Sequence, residues 1–316
     1  MIDRLPGRTV PLGGVRGMSV TRWLPHRGLP TVGPWCFLDR IGPQEVDMRV
    51  LPHPHTGLAT VTWPLAGRIH HRDSLGTDVV VRPGELNLMT AGRGVSHSEF
   101  SLGERPLQHA VQLWLATPPE TDDRPARFEQ CRDLPVLDRP GLRAHVLLGT
   151  LDDVHSPATS PTPGALAAQV ELAPGGRADL LLAPTDEHAL LLLDGDAELE
   201  GQPLSTDDLH VLVPGRGGAA LASHAGGRVL LIGGPPWRED LVMFWNFVGR
   251  SHEAVAAARA DWEAQATSGD GRFGTVPGHG RAERIPAPPL PPVRLTPRRR
   301  AGHPGTEGRA APPAMS

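Results

Sequence analysis

Glycine and proline recur so often in the first half of this chain that a long helix cannot run through it. The chain holds 37 Gly and 35 Pro among 316 residues. They bracket short apolar groups such as Thr9-Val10-Pro11-Leu12-Gly13-Gly14, Met18-Ser19-Val20 and Gly33-Pro34-Trp35-Cys36-Phe37-Leu38. Proline lacks the amide proton that a helix interior uses, and glycine loses more backbone freedom there than any other residue. Such punctuation suits short strands joined by turns. Ala59, Val61, Trp63 and Leu65 fall on one face of a strand, with Thr60 and Thr62 on the other. Val111, Leu113 and Leu115 alternate with Gln112 and Trp114. Arg72-Asp73-Ser74-Leu75-Gly76 and Arg82-Pro83-Gly84-Glu85 read as turns. Many short strands with regular turns predict an all-β sandwich or barrel.

The pattern returns after Thr117-Pro118-Pro119-Glu120-Thr121-Asp122-Asp123, a polar stretch that reads as an inter-domain linker. Leu190 to Leu193, the Asp194-Gly195-Asp196 turn and Pro214-Gly215 echo Val61 to Leu65, the residues 73–76 and Pro83-Gly84. This weak internal repeat predicts two β-barrels in tandem. Asp194-Gly195-Asp196 resembles a calcium loop only in composition and is read as a turn. Late in the chain Ser251 can cap a helix whose Val255, Ala258 and Trp262 keep helical spacing and pack on a barrel wall. From Thr275 onward Pro, Gly and Arg dominate, and Arg298-Arg299-Arg300 reads as part of a solvated tail. The expected organisation is a first domain over 1–120, a second with the helix over 121–274, and a disordered tail over 275–316.

The formal net charge of -4 gives no electrostatic case for nucleic acid or an anionic membrane. There is no apolar leader and no run long enough to span a bilayer, so the expectation is a soluble, cytoplasmic protein. Two cysteines, Cys36 and Cys131, are too few for a disulfide framework and read as reduced thiols.

Two donor pairs stand out in this β-rich frame: His53-x-His55 and His97-x-Glu99. In an extended strand, residues i and i+2 point to one side. A lone His-x-His carries little weight, since strand histidines bonded to backbone are the commoner case. The second pair follows the Ala91-Gly92-Arg93-Gly94 corner, where the chain can bend back toward the first. Three imidazoles and one carboxylate suit Fe, Mn, Co, Ni or Cu better than a structural Zn, which favours thiolates. Four ligands around an octahedral ion leave two positions for O2 or a chelating substrate. Glu99 can also serve as a general base, or only balance charge. His70 and His71, beside the 72–76 turn, read as a solvated hairpin. His109 and Gln112 could orient a ligand, but a surface or core role is the plainer reading. His26, His145, His188, His210 and His224 have no partner spacing.

Longer motifs carry a resemblance. Val32-Gly33-Pro34-Trp35-x-Phe37-Leu38-Asp39, Pro52-His53-Pro54-His55-x-Gly57, Thr60-Val61-Thr62, His71-Arg72-Asp73-Ser74-Leu75-Gly76, Arg82-Pro83-Gly84, Met89-Thr90-Ala91-Gly92-Arg93-Gly94-x-x-His97-Ser98-Glu99 and Leu113-Trp114 resemble the pirin family over about residues 8 to 265, strongly in the first half and loosely in the second. The resemblance implies a bicupin: two jelly-roll-like cupin β-barrels with a C-terminal helix. It implies one non-haem Fe(II) in the first barrel, held by His53, His55, His97 and Glu99. It also implies one of two roles, a quercetin 2,3-dioxygenase-like oxidoreductase acting on a flavonol or other small aromatic substrate, or a non-catalytic iron- and redox-responsive regulator. The chain departs from the family at Thr56, where Arg is usual, and at Ala59, where many cupins carry Glu. These changes bear on pocket polarity, not on the four ligands.

Overall fold

The computed structural model describes residues 2–12, 18–280 and 282–298. Gly13, Gly14 and residues 299–316, including Arg299 and Arg300, lie outside the described residues. The described chain is mostly strand, with one α-helix, and forms two similar β units. Each has a seven-stranded sheet faced by a four-stranded one. The facing sheets are hydrogen-bonded separately, and no closed barrel forms among the described residues. The all-β bicupin architecture expected from the sequence is what the chain adopts.

The two seven-stranded sheets bury their outer faces against each other. Ala59, Val61, Trp63 and Leu65 on strand Leu58–Ala66 join one apolar cluster with Ala189, Leu191, Leu193, Leu230 and Ile232 of the second unit. The alternation in that strand thus separates two interiors. Its odd positions face the seam between the units, while Thr62 bonds inside the first unit. Indole N–H groups tie the seam together. Trp35 Nε1 donates to the carbonyls of Leu166 and Gly233, each at 3.0 Å, and Trp63 Nε1 donates to Gln169 Oε1 at 2.7 Å. A separate apolar cluster fills the second unit.

The units exchange edge strands. Ile2–Pro6 pairs with Asp208–Leu212 in the second sheet, and Arg127–Cys131 pairs with Leu86–Thr90 in the first. Boundaries drawn at residues 1 and 120 therefore do not follow the sheets. Both exchanges shield an edge strand whose free amides and carbonyls would otherwise be exposed.

The helix His252–Ser268 starts where Ser251 accepts from Ala254 N and ends at Gly269, whose φ of 79° suits glycine. Val255, Ala258 and Trp262 are buried. They pack on the hairpin of strands Val242–Phe244 and Phe247–Gly249 and on Phe273 and Ala287, not directly on a barrel wall. The expectation of a disordered tail from residue 275 is also corrected, as far as 298. Val276 and Ala287 are buried, Ile285 N donates to Pro52 O, and Arg298 N donates to Leu241 O. Specific partners order this segment although its composition suggests none. The Asp194-Gly195-Asp196 turn expected from the sequence is instead a strand end: Asp194 and Gly195 close the strand Glu187–Gly195 opposite Arg228 and Gly227, Asp194 pairs with Arg228, and Asp196 accepts from His224 N and Ala225 N. Cys36 and Cys131 are free thiols.

Candidate metal centre

Three neighbouring strands of the first unit's four-stranded sheet build the site. Val95–Ser101 lies between Arg49–His55 and Ile69–Asp73. The register places His97 opposite His53 on one side and Asp73 on the other, and Glu99 opposite His71. The i, i+2 rule therefore brings three pairs together: His53/His55, His97/Glu99 and His71/Asp73. All six are buried. Between His97 and Glu99 the register shifts, from His53 to Val50, so the partner strand carries one extra residue there. Such a bulge re-aims side chains, and Pro52 within it has no amide to leave unpaired.

One donor atom each from His53, His55 and His97 lies within 4.8 Å of the others. A second, overlapping group joins His71, His97 and Glu99 within the same limit. His97 is common to both. Its Nε2 lies 3.1 Å from His55 Nε2, and its Nδ1 lies 3.4 Å from His71 Nδ1. Glu99 thus falls in the second group and not in the first. All four donors expected from the sequence line one cavity of about 290 Å³.

The donor set fits a divalent ion. Metal–imidazole bonds of about 2.0–2.1 Å at a right angle set their nitrogens about 3 Å apart, close to the His55–His97 spacing. His53 Nδ1 lies 3.0 Å from the Leu51 carbonyl, which can only accept, so the proton sits on Nδ1 and Nε2 keeps its lone pair. Asp73 Oδ2 likewise holds the proton of His71 on Nε2, at 3.2 Å. His71 Nδ1 is then left to accept from His97 Nδ1, which leaves the lone pair of His97 on Nε2. Asp73 is itself fixed, since its Oδ1 accepts from Leu75 N and Thr77 N.

Electrostatics agree. Burial, then the charge of His53, holds His55 well below the usual imidazole range; a backbone contact from Asn246 opposes this. His97 is held down in the same way by burial and by His53, His55 and His71. Burial pushes the Glu99 carboxyl up, against His71 and the Thr62 hydroxyl. Neutral imidazoles keep the lone pairs that a metal takes, and a buried carboxylate without a cationic side chain bonded to it is costly unless paired with positive charge, which a metal supplies.

The rest of the cavity is aromatic and apolar. Phe37 and Trp114 stack with centroids 3.9 Å apart, and Ile41, Met48 and Val50 line the same space. Thr62 Oγ1 lies 3.2 Å from Glu99 Oε1 and 3.0 Å from Gln112 Oε1, so its single proton serves one of the two at a time. Trp245 and Asn246, in the turn of the late hairpin, also reach the cavity.

Sequence reasoning missed the role of His71. His70 does sit in a partly exposed hairpin, bonded to Asp78. His71 instead points inward, and its i, i+2 partner Asp73 was the signal that could have found it. Gln112 lines the cavity, whereas His109 does not. His109 is buried where Arg40 and Arg228 approach it, and burial, then those charges, lowers it to about 4. Thr56 donates to Val248 O at 3.2 Å, and Ala59 belongs to the seam. Among the described residues, no group of metal donors occurs in the second unit. No helix of the described chain is long and apolar enough to cross a membrane.

Comparison with known proteins adds the family. Residues 17–115 match the pirin family, and residues 167–268 match the pirin C-terminal cupin domain. A Pseudomonas aeruginosa relative, provisionally named a quercetin 2,3-dioxygenase, is 39% identical over 92% of this chain and 91% of its own. The solved quercetin 2,3-dioxygenase from Acinetobacter baumannii superposes with a TM-score of 0.86 at 35% identity, covering 93% of this chain and 97% of that one. An Escherichia coli bacterial pirin, solved in complex with nickel(II), shares the fold with a TM-score of 0.58 at 19% identity, over 75% of this chain and 100% of that one. With both halves matched and the first relative similar along most of its length, this chain belongs to the pirin family.

Proposed function

We propose that this protein is a metal-dependent dioxygenase that oxidatively cleaves a ring of a phenolic or flavonol-like substrate, with a flavonol such as quercetin as the type. Fe(II) held by His53, His55, His97 and Glu99 is the leading cofactor; Mn, Ni, Co and Cu suit the same donors. The observation that carries the reading is the 3.1 Å approach of His55 Nε2 and His97 Nε2 inside a cavity walled by Phe37 and Trp114. Relatives named for quercetin 2,3-dioxygenase activity support the substrate class. Two reduced thiols fit a cytoplasmic setting.

When bound, the metal supplies Lewis acidity and the redox coupling between an electron-rich phenol and O2. The chain's own residues do the rest. The apolar walls exclude water and hold a flat ring. Burial raises the proton affinity of Glu99, which suits it to take a proton from the substrate hydroxyl. Thr62 steadies Glu99 Oε1 and can turn to Gln112 when that oxygen is protonated. Asp73 and His71 hold the His97 ring.

The test is metal analysis of protein purified without added ions, followed by an aerobic quercetin assay beside His97→Ala and Glu99→Gln. Loss of flavonol absorbance with wild type, slowed about 100-fold or more in Glu99→Gln, supports the reading. Tight metal binding with no phenol consumed points instead to a non-catalytic iron- or redox-responsive regulator. No metal binding sinks both.

A further inference from the structure

One side of the aromatic cavity is closed by chain from beyond both β units. Trp245, Asn246 and Ile285 line it together with the metal donors. The first two form the turn between strands Val242–Phe244 and Phe247–Gly249. This hairpin docks on the end of the His53-x-His55 strand. Val248 N donates to Thr56 O at 3.1 Å, and Thr56 Oγ1 donates back to Val248 O at 3.2 Å. Gly57 permits the approach: its φ is +66°, and a Cβ there would lie 2.3 Å from Val248 O.

Trp245 has a φ of 53°, a left-handed conformation that a bulky side chain adopts only when its surroundings impose it. Its ring meets Phe247 edge-on at 5.5 Å, and the contacts continue through Phe273 to Trp262 of the helix. Ile285 is equally fixed. Its N–H donates to Pro52 O at 2.8 Å, and its carbonyl accepts from Trp262 Nε1 at 3.0 Å. The flanking residues are pinned too. Ala287 N donates to Glu263 Oε1, Arg294 Nη2 to Glu253 Oε2 at 2.9 Å, and Arg298 N to Leu241 O.

We propose that the turn at Trp245-Asn246 and the strap over 282–298 form a fixed wall of the pocket, and that Trp245 and Ile285 set how large a flat aromatic ligand it accepts. Trp245 and Ile285 give this side of the cavity apolar surface beside Asn246, so it meets the part of a ligand that extends beyond the chelating edge. A single-ring catechol reaches the donors with little contact to this wall. A flavonol, with a second ring system, presses on it. The size-selectivity claim rests on the phenolic reading above; the fixed strap does not.

The experiment is anaerobic titration of the metal-containing protein, as purified, with quercetin and with catechol. Wild type, Trp245→Ala, Ile285→Ala and Trp245→Phe are compared, with folding checked by circular dichroism. Each alanine variant is expected to weaken quercetin about five- to tenfold and to move catechol by less than about twofold, since only the larger ligand loses apolar contact. Trp245→Phe should recover most of the loss. Equal quercetin affinity in all four proteins, or equal loss of both ligands, overturns the wall while leaving the phenolic reading intact. Wild type that binds neither ligand overturns the phenolic reading and the size selection with it. The strap has its own readout: slow tryptic cleavage at Arg284 and Arg294 in the folded protein supports it, and rapid cleavage there overturns it.

Discussion

His71 Nε2 lies 3.2 Å from Asp73 Oδ2, two residues along the same strand, with both side chains buried. The pair reaches the candidate metal centre through His97 Nδ1. Asp73→Asn keeps the Oδ1 acceptor for Leu75 N and Thr77 N but replaces the oxygen that accepts from His71. Metal affinity is therefore expected to fall about 10- to 100-fold with the fold intact. Isothermal titration with a divalent ion, beside circular dichroism, checks it. Unchanged affinity would show that His97 is held by other means.

Acid should destabilise the metal-free protein. Burial holds His55 and His97 well below 6.5, His109 is pushed from 6.5 to about 4, and His188 and His210 are lowered as well. A histidine with a lowered folded value stabilises the fold above its unfolded value. That stability is lost as the unfolded chain takes up protons preferentially on acidification. Asp39, Glu99 and Asp122, raised by burial, work the other way between their folded and unfolded values, but they are three groups against seven once His145 and His279, also lowered by burial, are counted. The melting temperature should fall steadily from pH 7 to pH 5. A flat or rising profile would contradict the sign.

Gly57→Ala should loosen the late hairpin. Its left-handed φ and the 2.3 Å approach of Val248 O to a new Cβ combine strain with a backbone clash. A loss of about 1–3 kcal/mol is expected from the strain alone. Urea denaturation measures it, and a stability equal to wild type would mean the hairpin moves aside freely.

The two units should unfold together. One apolar cluster contains residues from both, and Trp35 Nε1 bonds two carbonyls of the second unit. Trp35→Phe strands those carbonyls and should cost about 1–3 kcal/mol. It should lower a single shared transition in denaturant. Two separated transitions in wild type would refute the shared core.

Much of the fold could be read locally. The alternation of Ala59, Val61, Trp63 and Leu65 against Thr60 and Thr62 and the cap at Ser251 each depend on residues close in sequence, and each is present in the structure. The i, i+2 pairing brings His53, His55 and His97 together and sets Glu99 beside His97. The same spacing relates His71 and Asp73, but the adjoining 72–76 turn points to solvent, and the burial of both side chains depends on distant strands. What stayed hidden depends on distant partners. Arg294 is ordered by Glu253 and Ile285 by Pro52, which composition cannot show. The exchanged strands Ile2–Pro6 and Arg127–Cys131 pair across the unit boundary for the same reason.

The first of those exchanged strands has a consequence for biosynthesis. Ile2–Pro6 precedes its partner Asp208–Leu212 by roughly two hundred residues, so the partner leaves the ribosome some ten seconds or more later at ordinary elongation rates. Until then the nascent chain carries an unpaired edge, and a product cut short in between can never cover it. Such fragments are natural clients for chaperones and proteases, whereas a chain extended past Leu212 closes the gap by pairing the two strands.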